Sequence, residues 1–409
     1  MHHEIESCRS CGGPDLEVIL DLGMHPPSDA LLRDEQLALE EPHYPLTVAV
    51  CAGCGLMQIR ENVEPDELFC NDYPYFSSFM PALLRHSKKN VEELIEMRDL
   101  DQDSLVVELA SNDGYLLQYY AEKGIPVQGI DPAIGPAQAA EERGIPTLRT
   151  FFTEELAKKL RGDGKRADII HANNVLAHVP DLNGFVAGIA TLLKDEGMAV
   201  IECPHVHELI RHCEFDTIYH EHLCYFSVTA LRPLFHRHGL TLNDVRSLSI
   251  HGGSLRLYVS HRTSESAAVR ELLSNERSAE LDTPVGYRAF SSKVNQLRGL
   301  LRAMLERLKS DGATIAAYGA AAKGATLINY VGIGTDLIDF VVDRNTHKHG
   351  RYMPGQHIPI RPPEHLLEAQ PDYTLMLAWN FKDEIMEQQK EYRDQGGRFI
   401  IPVPEPAIV

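Results

Sequence analysis

The sequence predicts an α/β protein in three parts: a small N-terminal metal-binding domain and two Rossmann-like, doubly wound domains. Three observations predict it. Two C-x-x-C pairs, Cys8/Cys11 and Cys51/Cys54, stand near the start, and two strand, glycine turn, helix passages begin near residues 104 and 314. Short apolar runs that alternate with helical periodicity are the pattern of an open, mostly parallel sheet wrapped by helices. At 409 residues, 44% of them hydrophobic, the chain can bury several sizeable cores. The expected boundaries are 1–72, 73–260 and 261–409.

The first part reads Cys8-Arg-Ser-Cys11 and Cys51-Ala-Gly-Cys54-Gly55, with 39 residues between the pairs. Four thiolates at this spacing make a closed tetrahedral zinc site, and Gly12, Gly53 and Gly55 relieve the crowding of each knuckle. Reduced cysteines or a redox pair would be the plainer reading, but two C-x-x-C motifs bracketing one short segment favour zinc. With four protein ligands the ion is structural, not catalytic. Cys70, Cys203, Cys213 and Cys224 are scattered, which suits a reducing, cytoplasmic compartment rather than a disulfide framework.

The second part opens with the strand Ser104 to Leu109, a turn Ala110-Ser-Asn-Asp-Gly114 and a helical run from Tyr115 to Ala121. The next strand, Val127 to Ile130, ends at Asp131-Pro132. An acid there, about twenty residues past a glycine turn, accepts the ribose hydroxyls of an adenosine. The turn lacks G-x-G-x-x-G and carries Glu108 at its strand end. That carboxylate would repel a pyrophosphate and suits the methionine ammonium of S-adenosylmethionine. Candidate cofactor contacts are therefore Glu108, Ala110, Ser111, Asn112, Gly114, Asp131 and Pro132, joined by Asn173 and Asn174 after the strand Ala167 to His171. A fourth strand, Gly197 to Glu202, completes a parallel order.

The third part repeats the pattern: Thr314 to Tyr318, the turn Gly319-Ala-Ala-Ala-Lys-Gly324, a helix to about Tyr330, and Leu337 to Val342 ending at Asp343. With no acid and one lysine, this turn could cradle a diphosphate on backbone N–H groups and Lys323, or it is a ligand-free duplicate. Before it, Val285 to Lys309 places Phe290, Val294, Leu297, Leu301, Met304 and Leu308 at three- and four-residue spacing. This predicts a long connecting helix with one packed stripe.

The densest chemistry lies in Glu214-Phe-Asp-Thr-Ile-Tyr-His-Glu-His-Leu-Cys-Tyr-Phe-Ser227, with Tyr219, His220, Glu221 and His222 adjacent, just past the fourth strand, at the sheet edge where doubly wound folds bind ligands. Four successive residues cannot all grip one metal ion, and H-E-H is not H-E-x-x-H. A histidine base oriented by a carboxylate and a phenol fits better, with ordinary loop histidines as the plain alternative. The formal charge of -20 and the absence of a basic run exclude nucleic acid as a partner. The longest apolar runs are too short to span a membrane.

Taken together, these stretches resemble the nucleotide-sugar C-methyltransferases of deoxysugar biosynthesis. The likeness rests on both cysteine knuckles, Glu108 to Gly114, Ala172-Asn-Asn-Val-Leu-Ala-His178, Tyr219 to His222, His251-Gly-Gly-Ser-Leu-Arg256 and Gly319 to Gly324, and it covers nearly the whole chain. It implies a zinc domain, a donor-binding domain and a C-terminal Rossmann-like domain enclosing a thymidine-diphosphate 4-keto-deoxysugar. It also implies His222 as the base, with Tyr219 and Glu221 beside it and His178 near the enolate. The implied substrate contacts are Tyr73, Tyr75, Ser77, Ser78, His220, Tyr225, Ser254, Arg256 and Lys323. Pro26-Pro-Ser-Asp29 looks like a substrate-side loop, or else a proline turn with a serine cap. A monomer without membrane or nucleic-acid partners is expected. The competing readings are an O- or N-methyltransferase on the same donor fold, a nicotinamide oxidoreductase and a zinc-ribbon adaptor.

Overall fold

The computed structural model describes residues 2–64, 68 and 76–409. In the N-terminal part, β1 (His2–Glu4) pairs with β5 (Glu61–Val63), while β2 (Leu16–His25), β3 (Tyr44–Cys51) and β4 (Met57–Ile59) form an antiparallel sheet. The two cysteine pairs lie on tight turns. Gly12 N–H donates to the Cys8 carbonyl and Gly55 N–H to the Cys51 carbonyl, each at 2.9 Å, and both glycines take a left-handed φ. At Gly55 the need is also steric, since a Cβ would lie 2.9 Å from the Leu281 carbonyl.

The central part contributes β6 (Val106–Leu109), β7 (Val127–Ile130), β8 (Thr147–Leu148), β9 (Ala167–Asn173), β10 (Leu193–Pro204), β11 (Cys224–Tyr225), β12 (Thr241–Leu248) and β13 (Ser254–Ser260). Its seven-stranded sheet runs β12-β13-β10-β9-β6-β7-β8. The four expected strands, β6, β7, β9 and β10, are parallel, as is the short β8, but β13 inserts antiparallel between β10 and β12. No local pattern announces that insertion, because it is set by packing between residues some fifty positions apart. The short β11 leaves this sheet altogether and pairs with β4, so the segment around residue 220 is built into the N-terminal sheet.

The C-terminal part carries β14 (Ile315–Tyr318), β15 (Val341–Val342), β16 (Ile360–Arg361), β17 (Tyr373–Met376), β18 (Arg398–Ile401) and β19 (Ala407–Ile408), in the order β16-β15-β14-β17-β18-β19. All neighbours are parallel except β19. The helix Val285–Ser310 leads into it. Its buried stripe runs Tyr287, Phe290, Val294, Leu297, Leu301, Leu305 and Leu308. Leu305 takes the inward place expected of Met304, which is only partly covered, because the stripe steps by four after Leu301. Tyr287 donates to the carbonyls of Gly55 (3.1 Å) and Leu281 (3.2 Å), fastening this helix to the second knuckle.

Both large sheets reverse strand order once, between β6 and β9 and between β14 and β17. Crevices form at such points, outside the carboxyl ends of the strands. Among the described residues no helix is long and apolar enough to cross a membrane.

Candidate active site

The cysteine cluster fits zinc. Sulfurs bound to one ion at about 2.3 Å stand about 3.8 Å apart in a tetrahedron. Here Cys8 Sγ and Cys54 Sγ are 3.6 Å apart, Cys11 Sγ and Cys51 Sγ 3.4 Å, and all four lie within 4.8 Å of one another. Gln58 Nε2 donates to Cys8 Sγ at 3.3 Å, an outer hydrogen bond of the kind that holds a thiolate ligand in place.

At the first crevice, the turn after β6 alternates left-handed residues: Ala110 (φ 56°), Asn112 (φ 47°) and Gly114 (φ 76°). These are the positions at which a glycine-rich nucleotide turn needs positive φ. Two of these three glycine-favouring conformations are filled by an alanine and an asparagine. Alanine at such a φ costs about 1–2 kcal/mol, partly offset by the greater freedom glycine would regain on unfolding. Ala110→Gly is therefore expected to leave the melting temperature unchanged or raise it by a few degrees. Ala110→Val should lower it, and a cost for the glycine variant above about 1 kcal/mol would show that the turn is not strained.

The donor crevice is acidic. Glu108 is fully buried, faces Tyr115, and neither carboxylate oxygen makes a hydrogen bond of ordinary length. Burial, then the nearby Asp131 and Asp113, push its pKa far above the usual carboxylate range. Asp113, also buried, accepts from the Ser78 hydroxyl, pairs with Arg143 at 3.1 Å and keeps Oδ1 without a partner. Orphaned buried carboxylate oxygens fit a cationic ligand such as the ammonium and sulfonium of S-adenosylmethionine and would repel a pyrophosphate. Ser77 N–H donates to Asn112 Oδ1 at 2.8 Å, so Ser77 and Ser78 brace the donor turn. Tyr73 and Tyr75 lie outside the described residues.

Asp131 ends β7 with Oδ2 accepting from Asn112 N–H and Oδ1 from Ala133 N–H, both at 2.8 Å; Pro132 beside it is half-buried. Burial raises its pKa to about 6 against the pull of those two N–H groups. An ionised carboxylate is the stronger acceptor for ribose hydroxyls, so donor affinity should be full above pH 6 and decline as the pH falls through it. Asp131→Asn is expected to weaken S-adenosylmethionine binding by about 10- to 100-fold, the worth of charge-assisted hydrogen bonds, and to flatten that dependence. Calorimetric titration at pH 7.5 and 5 checks both, and equal wild-type affinities at the two values would refute the assignment.

Across the crevice, β9 delivers Asn173, whose Oδ1 is buried without a partner, and Asn174 in a left-handed conformation (φ 53°). Behind them Arg256 Nε donates to Glu202 Oε1 at 2.6 Å, and His86 approaches both Glu202 oxygens at 3.0 and 2.8 Å. The structure thus ties Arg256 into a buried ion pair under the crevice. Ser254, also buried, donates to the Ile250 carbonyl at 3.1 Å.

The histidine segment docks on the turn after β9. Leu223 N–H donates to the Ala177 carbonyl at 2.7 Å, and the His178 and His222 rings are 4.8 Å apart at their centroids. His222 Nδ1 lies 2.8 Å from the Thr217 carbonyl, an acceptor only, so Nδ1 carries the proton and Nε2 the lone pair. The Tyr219 hydroxyl meets Nε2 at 3.1 Å, and its ring stacks on the imidazole with centroids 4.1 Å apart. His178 Nδ1 engages the Glu221 carbonyl at 2.5 Å, and burial holds His178 neutral with a pKa near 4. It braces residue 221. Glu221 itself is buried with Oε2 unpartnered, and burial followed by the neighbouring Asp29 raises its pKa to about 8.

His220 turns the other way, to the Pro45 carbonyl at 2.9 Å with its ring edge-on to Tyr44, which joins the segment to β3. Tyr225 is buried on β11, its ring 6.5 Å from His222 and its hydroxyl without a hydrogen bond. The loop Pro26 to Asp29 reaches the C-terminal part, where Ser28 Oγ lies 3.3 Å from Thr326 Oγ1. Lys323 sits in the second crevice over the Trp379 ring, 4.2 Å from its centroid. Sequence reasoning missed Asp113, Arg143, Asp216 and Trp379; of these Asp113 and Asp216 carried a signal, each standing inside a segment already singled out.

The chain is similar to known proteins along its length. Residues 8–69 match the model of a zinc binding domain, 77–245 a methyltransferase domain and 249–404 the C-methyltransferase C-terminal domain. The chain is 37% identical to C-methyltransferase NovU of Streptomyces niveus over 408 residues, covering 99% of this chain and 97% of that one. A ubiquinone biosynthesis O-methyltransferase of Azorhizobium caulinodans is 26% identical over 124 residues, 29% of this chain and 46% of that one. The crystal structure of magnesium protoporphyrin IX methyltransferase from Synechocystis is 14% identical over 44% of this chain and 83% of that one, with a TM-score of 0.35.

Proposed function

Because the chain belongs to the C-methyltransferase family and is an S-adenosylmethionine-dependent methyltransferase with an N-terminal zinc-binding domain, we propose that its acceptor is a thymidine-diphosphate 4-keto-deoxysugar, methylated at C3. The observation that carries this reading is His222, fixed by the Thr217 carbonyl with its Nε2 lone pair beside the Tyr219 hydroxyl, at the same sheet edge as the acidic donor turn.

A C–H next to a ketone is acidic enough for a positioned imidazole to remove. His222 takes that proton at Nε2. Negative charge gathers on the C4 oxygen, where the Tyr219 hydroxyl stabilises it by hydrogen bonding in a half-buried cleft. Glu221, braced through its carbonyl by His178, holds the segment in place, Tyr225 walls the acceptor side, and His220 anchors the segment to β3. S-adenosylmethionine, when bound, supplies an electrophilic methyl group on a sulfonium. The chain's share of the work is to remove the proton, align the two reactants and keep water out. Ser254, Arg256 and Lys323 belong to the supports around this cleft, Ser77 and Ser78 to the join between donor and acceptor. The buried, unbridged Cys203, Cys213 and Cys224 suit a cytoplasmic enzyme.

The test is incubation with S-adenosylmethionine and a panel of thymidine-diphosphate 4-keto-deoxysugars in deuterated water. One added methyl on carbon, with deuterium appearing at C3 in recovered substrate, is the expected result. A methyl on oxygen or nitrogen would replace this reading with the O- or N-methyltransferase alternative.

A further inference from the structure

The second crevice, between β14 and β17, is where a Rossmann-like module receives its ligand. In this chain its walls close on a piece of the same polypeptide. The short 3-10 turn Phe215–Thr217 lies against the helix Ala322–Val331 that follows the glycine turn. The Phe215 and Tyr330 rings meet at 5.3 Å. Asp216 accepts a 2.6 Å hydrogen bond from Trp379 Nε1, from the loop after β17. Lys323, from the helix start on the other wall, lies over the same indole. Asp216 is fully buried, its Oδ1 has no partner, and Glu214 and Lys323 are the other charged groups facing it.

This turn also presents the Thr217 carbonyl, the acceptor that places the proton on His222 Nδ1. We propose that Asp216, gripped by Trp379 in the C-terminal crevice, is a positioning residue that sets the Thr217 carbonyl and through it the tautomer and orientation of His222. The second Rossmann-like module then acts as a clamp whose ligand is an internal carboxylate. Lys323 supplies the counter-charge for that carboxylate instead of meeting a diphosphate. The inference rests on the reading of His222 as the base.

The variants are Asp216→Asn and Trp379→Phe, the second keeping an aromatic ring for Lys323 while losing the Nε1 donor. Two readouts are taken on the full chain. One is deuterium exchange at the acceptor carbon together with kcat and KM. The other is the ring state of His222 by long-range 1H–15N correlation in 15N-histidine-labelled protein, assigned from the resonance lost in His222→Gln. Both variants are expected to lose about ten- to a hundredfold in exchange rate and kcat, as a displaced base does. The KM for S-adenosylmethionine should stay within twofold, and the His222 nitrogen shifts should move toward an exchanging mixture of tautomers.

Unchanged nitrogen shifts in folded Asp216→Asn protein would overturn the proposal whatever the activity. So would a kcat within twofold of wild type in both variants. Should Trp379→Phe fail to fold, the Asp216→Asn spectrum decides alone. Retained carbon exchange in His222→Gln would instead refute His222 as the base, and the nitrogen shifts would still report on Asp216.

Discussion

Replacing His222 with alanine is expected to slow methyl transfer by about 10²- to 10⁴-fold, the span that a positioned general base contributes, and to stop deuterium exchange at the acceptor carbon to the same degree. Donor binding should not change. The donor turn is held by Asp131, Ser77 and Arg143, none of which touches the imidazole. His222 is half-buried and its loss leaves the Thr217 carbonyl able to reach water, so the variant should also fold. Calorimetry with S-adenosylhomocysteine separates the two effects. A variant that still exchanges at the wild-type rate would move the base elsewhere, with Tyr219 first in line. Tyr219→Phe is the milder case, since it removes the partner of Nε2 and leaves the imidazole anchored.

Removing zinc should be as damaging, although the metal takes no part in bond making. Structural zinc sites contribute about 10–16 kcal/mol in small peptides, as much as the whole folding free energy of an ordinary domain, about 5–15 kcal/mol. The N-terminal sheet therefore should not survive without its ion. The damage has a short path to the chemistry. Gln58 holds Cys8 Sγ with its side chain, and its backbone pairs with Cys224 on β11. Ile59 N–H donates to the Leu223 carbonyl at 3.1 Å, one residue from His222. Cys51→Ser, at a fully buried position, or dialysis against a strong chelator should abolish activity and lower the melting temperature, and added zinc should restore the dialysed enzyme. Metal analysis should find one zinc per chain. A zinc-free protein with its melting point and activity intact would show that the four thiols are not a metal site.

Much of this was legible because the chemistry sits at fixed offsets from local signals. A C-x-x-C turn folds from its own residues, and Glu108 near the end of β6 and Asp131 just past β7 belong to strands whose apolar runs are plain. Features made by distant residues were not legible. The antiparallel β13 joins the sheet between strands that precede it in the chain, and no periodicity tells where it inserts. The turn after β6 was legible as a turn, but not its left-handed geometry, because Ala110 and Asn112 hold conformations that composition assigns to glycine. Asp216 and Trp379 are 163 positions apart, Ser28 and Thr326 298, and nothing local pairs them before the fold brings them together. The histidine segment was recognisable as chemistry, and the resemblance named His222 as its base, but the anchoring of His220 on β3 was not legible. His220 faces β3, His222 faces the cleft, and backbone geometry distinguishes two histidines separated by one glutamate.

Trp379 is the only tryptophan in the sequence. Its indole lies under a lysine ammonium and donates to a carboxylate on the turn that precedes the histidine segment, so indole emission, excited beyond the tyrosine absorption edge, comes from one ring at that junction. Its spectrum is a built-in optical gauge of how the C-terminal domain grips the rest of the molecule. It can be read by stopped flow during turnover, with no dye attached.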